Sequence, residues 1–204
     1  MSARGKFIVF EGIDGGGKGT QSKRAVSYVF DLSKENDILF TREPTRDFAE
    51  IRKRMAEGTD VKKDGHWYLG KFVEDRVNHI NKYIEPNLAN GTHVLSDRYK
   101  YSTLTYQPLQ SVPLEDVLKA HEGLLIPDLT LIYDCPANIA FERRRSDGAT
   151  DVFDKDMAFQ EQLRLAYLDL PKVLPNENIL VVNGNQPIEK VFEETKRALD
   201  SILK

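Results

Sequence analysis

Short apolar segments alternate with longer amphipathic segments along the whole chain. The segments with a strand pattern are residues 6–10, 37–41, 93–97, 129–134 and 178–182. The segments with a helical pattern are residues 18–34, 48–56, 67–89, 114–123, 136–145, 155–174 and 187–203. Strands that alternate with helices form a parallel sheet with helices on both faces. The pattern therefore predicts an α/β fold with a five-stranded parallel sheet flanked by helices.

Composition favours one cytoplasmic domain that binds small molecules. The chain has 204 residues, 40% of them apolar, and no repeat or linker divides it, so residues 1–204 are predicted to form a single domain. A formal charge of −3 gives no basic surface for long nucleic acid. The single cysteine, Cys135, cannot form an internal disulfide, and no apolar segment approaches the length of a membrane span. We therefore expect a cytoplasmic location, small-molecule partners and no membrane partner.

The segment GIDGGGKGT, residues 12–20, lies between the first predicted strand and the first predicted helix. It matches GxxxxGK, the pattern of a phosphate-binding loop, and predicts a three-layer P-loop fold. Its glycines let backbone N–H groups face one point, and Lys18 can reach the outer phosphates of a nucleotide. The alternative is a glycine-rich turn that binds nothing. The predicted ATP-binding residues are Gly12, Ile13, Asp14, Gly15, Gly16, Gly17, Lys18, Gly19 and Thr20.

Gly19 departs from the usual loop, which has serine or threonine at this position. Glycine has no side chain to ligate Mg²⁺, so Thr20 or an acidic residue must help to position the metal, through water. Asp97 ends a predicted strand, at the edge where open α/β sheets bind ligands. Asp97, Asp14 and Thr20 are therefore the candidate metal residues.

Three further segments have patterns that suit phosphate or base recognition. Phe72 and Arg76 are four residues apart in a helical pattern, so both project from one face and can hold a pyrimidine; the alternative is a core phenylalanine beside a surface arginine. Arg98, after Asp97, can clamp a phosphate, or the pair can cap a helix. The arginines at 143–145 indicate a lid at about residues 141–154. The alternative is a solvated helix end, where basic residues complement the helix dipole.

The sequence resembles the nucleoside monophosphate kinases at GKGTQ and, with EGID before it, the thymidylate kinases. Four further segments agree with that family in order and spacing: TREP at 41–44, FVEDR at 72–76, SDRYKYSTLTYQ at 96–107 and IPDLTLIYDCP at 126–136. Thymidylate kinases place an arginine either in the phosphate loop or in the lid. This loop offers only Gly15 and Gly16, so the resemblance implies the lid-arginine type.

The resemblance implies an enzyme, ATP:dTMP phosphotransferase, that forms dTDP with Mg²⁺ as cofactor, acts in nucleotide biosynthesis and assembles as a homodimer. It implies that Phe72 stacks on thymine, that Arg76 contacts its O4, and that Tyr106 packs against the deoxyribose. The full set implied for dTMP binding is Asp14, Arg42, Glu43, Pro44, Phe72, Arg76, Arg98, Thr103, Tyr106 and Gln107. The set implied for catalysis is Lys18, Asp14, Arg98, Arg143, Arg144 and Arg145, with the acting lid arginine left open.

Two other functions remain compatible with these motifs. One is a nucleoside monophosphate kinase with a different or broader acceptor range, and the other is a non-catalytic P-loop protein. His66, His79, His93 and His121 have no metal-ligand spacing, and we interpret them as structural or surface residues. The sequence shows no nucleophile and base pair, which phosphoryl transfer between nucleotides does not require.

Overall fold

A computed structural model describes residues 4–56, 64–146 and 157–204. Its strands are β1 (Phe7–Glu11), β2 (Ile38–Arg42), β3 (His93–Asp97), β4 (Leu129–Asp134) and β5 (Ile179–Asn183). They form one parallel sheet in the order β2-β3-β1-β4-β5. The predicted five-stranded parallel sheet is therefore confirmed, with strand bounds that differ from the prediction by at most one residue at each end.

Helices cover both faces of the sheet. They are α1 (Lys18–Leu32), α2 (Ala49–Ala56), α3 (Gly65–His79), a π-helical turn (Ile80–Ile84), α4 (Glu85–Ala89), α5 (Lys100–Leu109), α6 (Leu114–Ala120), α7 (Ala137–Ser146), α8 (Met157–Val173) and α9 (Ile188–Leu203). Among the described residues, no helix is long and apolar enough to cross a lipid bilayer. The predicted lid extends to residue 154, and its residues 147–154 lie outside the described part of the chain, as does the predicted helix start at Lys155.

The single helix predicted over residues 67–89 is interrupted by the π-helical turn. The N–H of Glu85 donates to the carbonyl of Ile80, five residues earlier. Pro86 follows in the first turn of α4, where a helix needs no backbone donor. The wider turn therefore separates α3, which carries Phe72 and Arg76, from the short α4.

Helix α5 was not predicted. Its sequence, KYSTLTYQPL, is rich in threonine and tyrosine and contains Pro108, and none of these residues favours a helix interior. Burial stabilises it instead, because Tyr101 and Leu104 pack in the core and the Thr105 hydroxyl donates to the carbonyl of Tyr101 at 3.0 Å. Tertiary packing therefore outweighs local propensity in this segment.

Alternate residues of the central strands enter two separate hydrophobic cores. Phe7 and Val9 of β1 lie in the core shared with α3, α5 and α8, whereas Ile8 and Phe10 lie in the core shared with α1 and α9. All four side chains are fully buried. Since β1 is held on both faces, its carboxyl end is a rigid support for the loop that follows it.

Candidate active site

The segment between β1 and α1 curves around an open concave point. Gly12, Gly15 and Gly17 have φ angles of 134°, 83° and 98°, which residues with side chains rarely adopt. A Cβ atom would lie 2.7 Å from the carbonyl oxygen of Tyr133 at Gly12, and 2.2 Å from that of Ala140 at Gly15. Only glycine fits at these two positions, so the loop is built for close backbone approach.

Helix α1 begins directly at the end of this loop, at Lys18. Its N-cap residue, Gly17, provides no side-chain hydrogen bond to the first N–H groups. An uncapped helix N-terminus carries a positive partial charge and favours an anion such as phosphate. The local structure therefore has the backbone features that the sequence predicts for nucleotide phosphates.

Charged side chains of opposite sign meet at the mouth of the loop. The Lys18 Nζ atom lies 3.2 Å from Asp97 Oδ1 and 3.7 Å from Asp14 Oδ1. Arg98 Nη2 donates to Asp14 Oδ1 at 2.7 Å, and Arg42 Nη2 donates to Asp97 Oδ2 at 3.1 Å. The structure thus brings together five residues that sequence analysis drew from three separate segments.

The neighbouring charges keep the carboxylate of Asp14 ionised. Arg98 is the main cause, and with Lys18 and Arg144 it holds the pKa of Asp14 well below its usual range despite partial burial. Burial, followed by the charge of Arg98, lowers the pKa of Lys18, and Asp97 and Asp14 oppose that decrease. The cluster therefore alternates cations with anions; the side chains of Lys18, Asp97 and Arg98 are mostly buried, whereas Asp14 and Arg42 are open to solvent.

Arg98 is fixed by contacts on several elements. Its backbone φ of 74° lies in the left-handed region, and its N–H donates to the carbonyl of Phe10 at 2.9 Å. Its Nη1 atom donates to the hydroxyl oxygens of Ser102 at 2.8 Å and of Tyr167 at 3.0 Å. A non-glycine residue held in this conformation by surrounding structure is typical of functional sites.

The three arginines of α7 have different surroundings. Arg144 Nη1 lies 3.5 Å from Asp14 Oδ2, at the mouth of the loop. Arg143 Nη1 donates instead to the carbonyl of Gly184 at 3.1 Å. The side chain of Arg145 is 72% exposed and lies 3.9 Å from Glu142. Of the three, Arg144 is the arginine that contacts the charged cluster.

Arg76 is buried, and each of the three nitrogens of its guanidinium contacts a protein side chain. Nε donates to Glu43 Oε2 at 2.8 Å, Nη1 contacts His121 Nε2 at 2.6 Å, and Nη2 donates to Thr103 Oγ1 at 3.1 Å. The side chains of Arg76 and Glu43 are only 2% and 4% exposed. Arg76, Glu43 and Thr103 thus meet at one place, as the sequence predicts, but Arg76 is neither free nor at the surface.

The other residues predicted for the acceptor lie around Arg76 and Arg98. The Phe72 ring is partly buried and stacks on Tyr68 with centroids 6.1 Å apart. Arg98 lies over the Tyr106 ring, 5.8 Å from its centroid. Gln107 is buried, and within the described residues its Oε1 atom has no hydrogen-bond partner. A buried carbonyl oxygen without a partner is costly unless a ligand or water satisfies it.

Two carboxylates at the loop suit a hydrated divalent cation. Asp97 Oδ1 is buried with Lys18 as an ion pair but makes no well-directed hydrogen bond within the described residues. Among these residues no cluster of three histidine, cysteine or acidic groups could hold a metal by itself. Mg²⁺ usually keeps several waters and binds through one or two carboxylates together with phosphate oxygens. Asp97 and Asp14 fit that mode, whereas Thr20 is exposed at the first turn of α1.

A family model described as thymidylate kinase matches residues 10–195. The chain belongs to the thymidylate kinase family. It is 36% identical over 203 residues to a probable thymidylate kinase of Methanococcus maripaludis, covering 95% of this chain and 94% of that one. It is 34% identical over 198 residues to the thymidylate kinase of Dinoroseobacter shibae, covering 94% of each chain.

A solved structure agrees with this membership of the family. The thymidylate kinase from Ehrlichia chaffeensis is similar over 97% of this chain and 99% of its own chain, with a TM-score of 0.76 and 27% sequence identity. The sequence resemblance to thymidylate kinases is therefore confirmed, and so is the kinase class of the protein.

Several side chains that support the candidate site carry little or no functional signal in the sequence. In the sequence, Glu11 stands out only as part of EGID, yet its buried carboxylate accepts hydrogen bonds from the backbone N–H and hydroxyl of Ser102 and from the Tyr167 hydroxyl. His121 was interpreted as a structural or surface residue, and it contacts Arg76. A glutamate at the end of an otherwise apolar strand was the one signal available for Glu11. No local pattern marks Tyr167 or His121.

His121 is held as a neutral ring. Its Nδ1 atom lies 2.6 Å from the carbonyl oxygen of Val117, which can only accept, so Nδ1 carries the proton. Its Nε2 atom therefore accepts from Arg76, which can only donate. Burial, followed by the charge of Arg76, lowers the pKa of His121 to about 3.

The neutral state of His121 predicts a specific loss of stability in acid. Between the usual pKa of 6.5 and the folded pKa of about 3, the unfolded chain binds a proton at His121 and the folded chain does not. The free energy of unfolding should therefore fall as the pH drops below 6.5, by up to about 1.4 kcal/mol per pH unit from this residue alone.

Urea unfolding of the native protein and of His121→Gln at several pH values from neutral to mildly acidic checks this expectation. Carboxylates titrate in both proteins, so the difference between the two curves isolates His121. The stability advantage of the native protein over the variant should shrink as the pH falls. Parallel curves across the whole range would contradict a buried neutral His121.

Proposed function

We propose that this chain transfers the γ-phosphoryl group of ATP to dTMP and forms dTDP and ADP, with Mg²⁺ as cofactor. Family membership supports the reaction. The observation that carries the assignment of residues is the cluster in which Lys18, Asp14, Asp97 and Arg98 meet at the mouth of the glycine loop. Phosphoryl transfer depends on positioning and charge neutralisation, and this cluster offers both.

ATP binds through its phosphates to the loop of residues 12–17 and to the N-terminus of α1. The turned backbone N–H groups and the helix dipole receive the phosphates, and Lys18 lies against the outer ones. Lys18 is paired with Asp97 at 3.2 Å, so it is already directed toward the centre of the site. Binding therefore replaces one set of anions around Lys18 with another, without a large movement of the lysine.

Asp97 and Asp14 are the residues that would hold Mg²⁺, in part through water. Bound there, it would neutralise charge on the phosphate oxygens during transfer. Asp97 Oδ1 has no well-directed hydrogen bond within the described residues, which leaves it able to accept one from a metal-bound water. Thr20 remains a second candidate because it is exposed beside Gly19, the position that lacks the usual hydroxyl.

The phosphate of dTMP binds between Arg42 and Arg98. Each arginine is held by a carboxylate, Arg42 by Asp97 and Arg98 by Asp14. Guanidinium groups bind phosphate with two parallel hydrogen bonds, and both of these project at the carboxyl edge of the sheet. The Glu43–Pro44 peptide, which is cis, follows Arg42 directly, and Glu43 accepts a hydrogen bond from Arg76.

Thymine binds with its edge toward Arg76 and Gln107 and its face on Phe72. Three of the five N–H groups of Arg76 are taken by protein acceptors, and the remaining two can donate to thymine O4. The unpartnered Oε1 of Gln107 can accept the thymine N3–H. Cytosine offers an amino group at position 4 and no N3–H, so it would leave both protein groups unpaired. Tyr106 packs against the deoxyribose.

Arg144 is the lid arginine that acts on the transferring group. It lies 3.5 Å from Asp14, which also contacts Arg98 and Lys18, so it approaches the place where negative charge develops. We further propose that residues 1–204 form one domain with a lid segment at about residues 141–154, and that the protein is a cytoplasmic homodimer. Family resemblance is the support for the dimer.

An acceptor panel tests the proposed function directly. ADP release from ATP and Mg²⁺ should be fastest with dTMP, slower with dUMP and almost absent with dCMP and AMP. The loss with dUMP reflects one methyl group and should be roughly 10- to 200-fold in kcat/KM. Equal turnover of dCMP or AMP would contradict the acceptor, and no turnover of any monophosphate would favour a non-catalytic P-loop protein.

The arginines of α7 provide a matched pair for testing the lid. Arg144→Ala should lower kcat by about a hundredfold with a smaller change in the KM for dTMP, because the lost charge acts mainly in the transition state. Arg145→Ala removes the same charge from the next residue and should keep kcat within about threefold, because exposed pairs contribute little. Steady-state kinetics of the two variants measure the difference. Equal losses, or a larger loss for Arg145→Ala, would contradict the assignment of Arg144.

A further inference from the structure

The guanidinium of Arg76 has one protein acceptor for each of its three nitrogens. Glu43 binds Nε, His121 binds Nη1 and Thr103 binds Nη2. The two N–H groups that remain are one on Nη1 and one on Nη2. Their directions depend on how the planar group is rotated, and three acceptors on three nitrogens fix that rotation.

His121 and Thr103 both oppose a side-on pairing of Arg76 with Glu43, and His121 makes the shorter of the two contacts. An arginine and a carboxylate prefer two parallel hydrogen bonds, which would turn a second guanidinium nitrogen toward Glu43. The contact at 2.6 Å between Nη1 and His121 Nε2 balances that attraction. Both Arg76 and His121 are buried, at 2% and 6% exposure, so water does not readily replace a lost acceptor.

A backbone carbonyl of α6 determines which ring nitrogen of His121 can accept a hydrogen bond. Its Nδ1 donates to the carbonyl of Val117, one turn earlier in the chain, and this leaves a lone pair on Nε2. A protonated ring would present an N–H to the N–H of Arg76. The ring is therefore held in the one tautomer that can orient the arginine.

We infer that His121 is a positioning residue for pyrimidine selection, which directs the two remaining N–H groups of Arg76 toward a 4-oxo base. The inference rests on the proposed role of Arg76 in acceptor binding. Because these groups can only donate, an arginine fixed in this direction favours a base with oxygen at position 4 over one with an amino group. A guanidinium free to turn toward Glu43 would lose that selectivity.

Replacing His121 by glutamine or by asparagine distinguishes a positioning role from a purely structural role. The Gln side chain places its amide near the position of the imidazole Nε2, so His121→Gln can still accept from Arg76. The shorter Asn side chain reaches only the position of Nδ1, so His121→Asn can keep the contact with Val117 but not the contact with Arg76. A residue that merely anchors α6 would tolerate asparagine better than glutamine.

Steady-state kinetics with dTMP and dCMP should therefore distinguish the two variants. His121→Asn should raise the KM for dTMP about tenfold and reduce the preference for dTMP over dCMP about tenfold, as expected for one lost hydrogen bond to a charged group. Its kcat should stay within about twofold, because Lys18 and Arg98 perform the transfer. His121→Gln should retain most of the native KM and preference. His66→Asn, at a histidine whose side chain is 70% exposed, is the control.

Several outcomes would overturn the inference. They are equal KM and preference in folded Gln and Asn variants, a better result for asparagine than for glutamine, and a fall in kcat at unchanged KM. If His121→Asn does not fold, His121→Gln alone tests the inference. Loss of the preference for dTMP over dCMP in folded His121→Gln would contradict the proposed contact. Native protein that phosphorylates dCMP as well as dTMP would instead overturn the proposed acceptor, before any variant is compared.

Discussion

The fully buried carboxylate of Glu11 joins the elements that carry the site. It accepts hydrogen bonds from the backbone N–H groups of Tyr99 and Ser102 at the start of α5 and from the Tyr167 hydroxyl of α8. Burial raises its pKa, and the charge of Arg98, the hydrogen bond from the Ser102 hydroxyl and the hydrogen bond from the Tyr99 N–H oppose the rise. An unpaired buried carboxylate would cost several kcal/mol. The end of β1, the start of α5 and the middle of α8 must therefore stay together.

Starting at Glu11, charges of alternating sign extend across the carboxyl edge of the sheet. Arg98 lies between Glu11 and Asp14, and Lys18 lies between Asp14 and Asp97. Each cation is already oriented and partly desolvated before a phosphate arrives. Preorganised charge of this kind needs little rearrangement during the reaction, which is the main way in which an enzyme stabilises a transition state electrostatically.

Local sequence patterns predict the parts of this arrangement that depend on neighbouring residues. The strands, the glycine loop and Lys18 could be predicted because periodicity and spacing are local properties. Tyr167 lies 156 residues from Glu11 and His121 lies 45 residues from Arg76, so only the fold brings these pairs together. The sequence also does not show which of the three consecutive arginines contacts the charged cluster. Successive helix positions point about 100° apart, so the neighbouring elements decide which side chain enters the site.

Turnover of ATP and dTMP by Lys18→Ala shows whether the charged cluster at the loop carries phosphoryl transfer. The control is Lys23→Ala, which removes an exposed lysine from the same helix. We expect Lys18→Ala to unfold cooperatively like the native protein and to lose at least about a hundredfold in kcat, while Lys23→Ala retains full activity. A folded Lys18→Ala protein with native turnover would contradict this role of the cluster.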